Sequence, residues 1–222
     1  VMKKALIASS IILAAGAANA DVIGLTAEAG YYMPDATFTG KILNTESNPS
    51  MSAESSMYYG VAFEHPVPVI PNVRVQGVTF DTKASGSEDT SLKIDTTDYT
   101  AYYELPVILP WLELDVGFTL RAMDVDMRVK GASESGSVVL PTGYVAGYVH
   151  IPGLPLSIGG ELKTLSIGDS SLTDTTIKVK YESPFFVGVE AGYRNANMTL
   201  DTDDFYTEAD FSGAYIGAFV DF

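Results

Sequence analysis

Four times in this chain a strand-like stretch runs into a tight cluster of prolines and large apolar residues, and a new strand starts at once. The clusters are His65-Pro-Val-Pro-Val-Ile-Pro71, Leu105-Pro-Val-Ile-Leu-Pro110, Ile151-Pro-Gly-Leu-Pro155 and Ser183-Pro-Phe-Phe186. Between them lie connections of opposite character, acidic and rich in Ser, Thr and Gly, at about 34–55, 83–91, 131–137, 169–174 and 201–208. Short apolar turns at one end of every hairpin and polar loops at the other describe an antiparallel sheet standing across a boundary. In lipid every backbone N–H and C=O must be satisfied by the protein itself, so a sheet that spans a membrane has to close into a barrel.

The chain opens on a segment of a different kind. Lys3 and Lys4 precede an apolar stretch from Ala5 to Ala18, and Ala18-Asn19-Ala20 forms a small-residue cleavage site before Asp21. This predicts a secretory signal over 1–20, leaving 21–222 as one barrel domain. No later run reaches the ~20 apolar residues of a spanning helix. Cysteine is absent, so an exported chain of this kind depends on packing and backbone pairing. The formal charge is −15, and −17 once Lys3 and Lys4 leave, which argues against nucleic acid as a partner and against any polybasic attachment to anionic lipid.

Ten strands are expected, near 22–33, 57–65, 73–82, 92–104, 111–129, 139–150, 155–168, 175–183, 186–200 and 209–222. An even number leaves both termini on the side of the short turns. Alternation is clearest in the fifth, where Leu112, Leu114, Val116, Phe118, Leu120 and Ala122 share one face and Glu113, Asp115, Gly117, Thr119 and Arg121 the other. A charge facing lipid at the bilayer midplane costs ~2–4 kcal/mol for Arg or Lys, so the charged face is the lumen. Pro141 blurs the pattern at 139–150 and leaves the facing of Tyr144, Tyr148 and His150 open. Trp111, Phe185 and Phe186 beside the Pro turns, and Tyr31, Tyr32, Tyr58 and Tyr59 beside the first long loop, form two candidate interfacial girdles.

The last strand carries Ala214, Ile216, Ala218, Val220 and Phe222 on one face and ends there. An alternating strand closed by a terminal Phe resembles the C-terminal signature of Gram-negative outer-membrane β-barrel proteins. The resemblance implies an all-β, antiparallel, up-and-down transmembrane barrel in the cell outer membrane. It also implies short turns facing the periplasm and Phe222 read by the outer-membrane insertion machinery. Lipid and lipopolysaccharide are the surroundings it implies, and the chain is expected to be a monomer.

Inward positions collect a lumen charge network of Glu28, Glu64, Arg74, Glu104, Glu113, Asp115, Arg121, Glu161, Lys163, Lys178, Lys180, Glu182, Glu190 and Arg194. Charges in a narrow, dry lumen persist when paired and hydrogen-bonded, so a structural role outweighs a catalytic one. Glu64, Glu104 and Glu182 each stand two positions before a turn proline, which places them at the periplasmic mouth as part of an acidic ring. A cation filter is the functional alternative for such a ring.

In four strands the apolar face changes part-way. Leu112 to Ala122 are apolar at even positions, whereas Met123, Val125, Met127 and Val129 are apolar at odd ones; Val78 and Phe80, Leu165 and Ile167, and Met198 and Leu200 make the same change. Either each strand carries a β-bulge, or the strands outrun the bilayer and the inside turns apolar above it. The second account gives an apolar upper lumen of Val78, Phe80, Met123, Val125, Met127, Leu165, Ile167, Met198 and Leu200. That lumen is either a hydrophobic plug or a pocket for apolar ligands.

Other chemistries find little support. Barrels resembling this one include proteases with catalytic Asp and His at the extracellular end, but His65 and His150 both abut Pro turns at the opposite end. Without a positioned base, the loop Ser and Thr residues read as turn residues, and no enzyme activity is expected. Asp201, Asp203, Asp204, Glu208 and Asp210 lack the spacing of a calcium loop, so neither metal nor cofactor is expected. The fold reading leaves a structural or surface-interaction role, with a narrow pore or small-solute carrier as the alternative. If Phe222 is the assembly signal, its deletion will impair insertion more than any loop substitution does. Heat-modifiable gel mobility of membrane fractions measures this; unchanged insertion of the truncated chain would make the terminal Phe incidental.

Overall fold

The computed structural model describes residues 23–42, 45–47, 51–67, 69–84, 90–129, 132–167, 170–202 and 205–222. The leader expected at 1–20 lies outside them. The strands are β1 (Gly24–Ile42), β2 (Thr45–Ser47), β3 (Met51–Glu54), β4 (Ser56–Glu64), β5 (Asn72–Ala84) and β6 (Thr90–Glu104). They continue as β7 (Leu112–Val129), β8 (Ala132–His150), β9 (Leu156–Ile167), β10 (Ser170–Glu182), β11 (Val187–Thr202) and β12 (Phe205–Asp221). From β4 to β12 each strand pairs antiparallel with the next, β1 pairs with β4, and β12 returns to β1. The result is a closed, ten-stranded, up-and-down antiparallel barrel, with β2 added to the top of β1 and β3 prolonging the line of β4.

Closure rests on the ladder from Thr26↔Asp221 to Ile42↔Phe205. At its lower end Leu25 N–H donates to the Phe222 carbonyl at 2.9 Å, and Phe222 N–H donates to the Leu25 carbonyl at 3.1 Å. Phe222 stacks on Phe186, with ring centroids 6.1 Å apart and planes at 23°. Phe186 holds a left-handed backbone, φ 59°, a conformation more usual for Gly. The stack gives its ring a partner at the lower end of the closing ladder. In the turn after β8, Leu154 N–H donates to the Ile151 carbonyl at 3.0 Å, with Pro152 and then Gly153 at φ 80° between them. That is the residue order a type II turn demands.

The strands are longer than the sequence pattern indicated. Most residues expected as loops at 34–55, 83–91, 131–137, 169–174 and 201–208 prolong the hairpins instead. Ladder hydrogen bonds form equally well above a bilayer, where the outward face has no need to be apolar, so polarity there does not mark the end of a strand.

The change of apolar face now has a cause. In β7 the register runs unbroken against β6 from Thr90↔Val129 to Glu104↔Asp115, and against β8 from Leu112↔Val149 to Val129↔Ala132. Strands β5, β9 and β11 likewise keep one register against β6, β10 and β12. No bulge interrupts them; the inside itself turns from charged to apolar. A slip does occur elsewhere, since Tyr58 pairs with Val78 but Glu54 with Asp81. Three residues, 55–57, then face two, 79–80, which is a β-bulge between β3 and β4.

The girdle assignment needs one correction. Tyr31 and Tyr59 face outward, but Tyr32 is only 1% exposed and Tyr58 points into the lumen. Side chains alternate along a strand, so of two adjacent tyrosines only one can face lipid. The facing left open in β8 is inward: Tyr144 and Tyr148 are buried, and His150 lies at the mouth. Outward, Tyr99, Val116, Phe118, Val145, Ile177, Val189, Tyr193 and Ile216 leave an exposed apolar belt.

Because β7 continues past the belt without a bulge, spin labels at positions 124 and 126 will report water. A label at 125 will be immobilised in an apolar interior. Lipid contact at 125, read by oxygen accessibility, would contradict the register.

Candidate functional site

The lumen is layered. At its periplasmic mouth stand Glu64, Glu104, Glu113, Asp115, Glu182 and Lys180. Tyr102 Oη donates to Glu64 Oε1 at 2.6 Å, and His150 Nε2 lies 3.0 Å from Glu113 Oε2. Lys180 Nζ sits over the Phe219 ring, 4.4 Å from its centroid. Glu104 and Glu182 are exposed where the strands end, so the acids mark an opening rather than a sealed ring.

Above the mouth, inward aromatic rings lie against glycines of neighbouring strands: Tyr148 on Gly159, Tyr215 on Gly192 and Phe219 on Gly188. A Cβ at Gly159 would stand 2.3 Å from Tyr148 Cδ1, and one at Gly188 would stand 2.1 Å from Phe219 Cζ. Side chains at these positions would push the rings off the wall, so the glycines set how tightly the lumen packs.

Two ionic clusters follow. In the lower one Arg74 reaches Glu161 at 3.1 Å and Glu28 at 3.4 Å, while Lys178 reaches Glu161 at 3.0 Å, Glu190 at 3.6 Å and Glu28 at 3.7 Å. Tyr148 donates to Glu161 and Tyr58 to Glu190, each at 2.6 Å, and Gln76 donates to Glu28 at 2.9 Å. In the upper cluster Arg121 grips Asp98 through two hydrogen bonds of 2.7 Å and also reaches Asp174 at 2.6 Å. Arg194 binds Asp174 through Nε at 2.9 Å and Nη2 at 2.6 Å. Lys163 donates to Asp98 at 2.7 Å and to Gln76 at 2.8 Å, joining the two clusters. Three carboxylates meet two cations below and two carboxylates meet three cations above, so the joined network is neutral. Planar forks of this kind are the strongest protein ion pairs, and burial makes each hard to lose.

Asp98 and Asp174 were not singled out from the sequence, although both are central. Asp174 fell in a stretch that reads as loop, and Asp98 in a Thr-rich run with weak contrast between faces. The discernible signal was the period of two in Leu92, Ile94, Thr96 and Asp98, and in Leu172, Asp174, Thr176 and Lys178.

Over the ionic clusters lies an apolar one built on Tyr32, Val78, Phe80, Leu92, Ile94, Met123, Leu172 and Phe211, with Val125, Leu165 and Met198 packed against it. Phe80 anchors it, 4.6 Å from Phe211 and 5.9 Å from Tyr32 between ring centroids. The side chains of Met127, Ile167 and Leu200 lie outside the described residues. A cavity of about 30 Å³ remains beside Phe80 and Met198, and one of about 50 Å³ among the charged groups. Among the described residues Glu190 Oε2 and Tyr215 Oη in the polar cavity have no hydrogen-bond partner, and its size suits a few waters. Higher still, on the outside, Glu54 hydrogen-bonds Lys83 Nζ and raises its ammonium pKa.

A closed antiparallel barrel with an apolar belt outside and neutralised charge inside is a transmembrane barrel of the outer-membrane type. The fold is matched by the outer membrane protease OmpT from Escherichia coli, at a TM-score of 0.58 and 9% identity, over 92% of this chain and 98% of that one. Ail of Yersinia pestis, solved with the heparin analogue sucrose octasulfate, matches at a TM-score of 0.43 and 12% identity, over 90% and 99%. OprG from Pseudomonas aeruginosa matches at 0.38 and 10%, over 90% and 96%. No protein-family model and no curated protein sequence matches the chain.

Asp174 is held by two arginines at once and is almost wholly buried, so Asp174→Ala takes away the carboxylate partner of Arg194 and leaves Arg121 with Asp98 alone. The expected loss is about 3–5 kcal/mol in reversible urea unfolding from lipid, the cost of breaking a buried pair on one side. A loss below about 1 kcal/mol would mean that water already solvates the site.

Proposed function

We propose that the protein is a non-conducting integral barrel of the outer membrane, with a structural or surface-interaction role carried by its lipid-facing wall and extracellular strand ends. One observation carries this reading: the neutral network from Glu28 to Arg194 crosses the lumen, and the apolar cluster stacks above it. Ten strands enclose a space that side chains of this size can fill. Export through a cleaved signal at 1–20, insertion guided by Phe222, a monomeric state and contact with lipopolysaccharide belong to the same proposal. The histidines support the non-enzymatic part, since His65 and His150 stand at the periplasmic end, away from the extracellular surface.

A carrier for apolar solutes through the upper lumen has weaker support. Ligand pockets usually offer ≈ 300–1,000 Å³, far more than the cavity of about 30 Å³ beside Phe80. In planar bilayers the refolded barrel should give no stable open level, at most brief, small events. Long-lived channels of large conductance would favour the pore reading instead.

A further inference from the structure

The periplasmic mouth holds a cluster of carboxylates in which Glu113 has His150 at 3.0 Å, whereas Glu104 and Asp115 have no ion-pairing partner among the described residues. Glu104 and Asp115 are direct cross-strand partners on the inward face, and Glu113 stands two residues from Asp115 on that face. Like charges placed opposite one another destabilise a sheet unless something balances them. Asp115 is 6% exposed, and among the described residues its carboxylate has neither a hydrogen-bond donor nor an ion-pairing cation. Arg74 is occupied by Glu28 and Glu161. Around this cluster the turn between β6 and β7 projects apolar side chains, with Ile108 97% exposed and Leu105 and Trp111 beside it.

We propose that this mouth is a binding site, open to the periplasm and closed above, for an organic cation with an apolar body, an alkylammonium. The ammonium would donate charge-assisted hydrogen bonds to Asp115 and Glu104 while its chain covers the exposed β6–β7 turn. A directly coordinated metal fits less well, because among the described residues no three acidic or histidine side chains converge on one metal position. The cul-de-sac form rests on the lumen being closed, but the cation chemistry does not.

The chain contains a single tryptophan, and Trp111 is at this mouth. Hexylammonium titrated into the refolded protein in phosphatidylcholine nanodiscs should change its fluorescence saturably. Asp115→Asn and Glu104→Gln should each weaken the binding at least tenfold, with folding checked by heat-modifiable mobility. Each substitution removes a like charge, so the barrel is expected to fold; if one variant fails, the other carries the comparison. Repeating the titration with phosphatidylethanolamine present separates the sources of the ammonium. Competition assigns the site to a lipid headgroup, and an unchanged affinity assigns it to a soluble amine. An equal response to hexanol would reduce the site to apolar partitioning, and an equal response to magnesium chloride would reduce it to a general acidic surface; either overturns the proposal, as does no response. Conductance measured on the same preparation keeps the two ideas apart, since a conducting barrel that binds hexylammonium refutes the closed lumen alone.

Discussion

A backbone that crosses lipid can bond only to itself, and every feature of this molecule follows from how that demand is met. The ladder between β1 and β12 removes the last free edges, and the reciprocal bonds between Leu25 and Phe222 fasten its lower end. Once ten strands close, the interior is small enough for side chains to fill. What stands there is then a packing problem with electrostatic terms.

The chain solves it in layers. Aromatic rings lie on glycines near the bottom, where a larger residue on the wall would displace them. Charges occupy the middle, and Asp98 and Asp174 bring Arg121, Lys163 and Arg194 into one connected group. Each carboxylate balances a cation that would otherwise lie buried and unpaired, at several kcal/mol apiece. Apolar side chains fill the top, where the wall leaves the lipid and the outward face becomes polar. The mouth departs from this pattern, because Asp115 and Glu104 face each other and neither has an ion-pairing cation among the described residues.

How far the sequence carried this picture depended on which physical signal was in play. Strand direction, turn placement and the closed barrel were legible because Pro-rich turns and alternation are local. Inward facing was legible for Arg121, since the residues beside it are unmistakably apolar, whereas for Met123 and Val125 the choice between a bulge and a strand outrunning the bilayer stayed open until the register was seen. Strand length was not, because above the bilayer a strand and a loop share the same polar composition. Asp174 was hidden for that reason. The pairs Tyr31-Tyr32 and Tyr58-Tyr59 misled because composition marks an aromatic zone, whereas period two permits only one of each pair to face lipid. Partnerships such as Arg121 with both Asp98 and Asp174 were beyond reach, because they join strands that lie far apart in the chain.

The central claim is that the charged layer is a dry, satisfied network and not the wall of a water-filled channel. Arg121 reports on it directly, because its Nε–H donates to Asp98 Oδ1 at 2.7 Å and the side chain is 3% exposed. In solution NMR of the refolded barrel, that Nε–H should give a resolved resonance with slow solvent exchange. Exchange as fast as that of a free arginine would mean bulk water reaches the network, and the account of a closed lumen would fail.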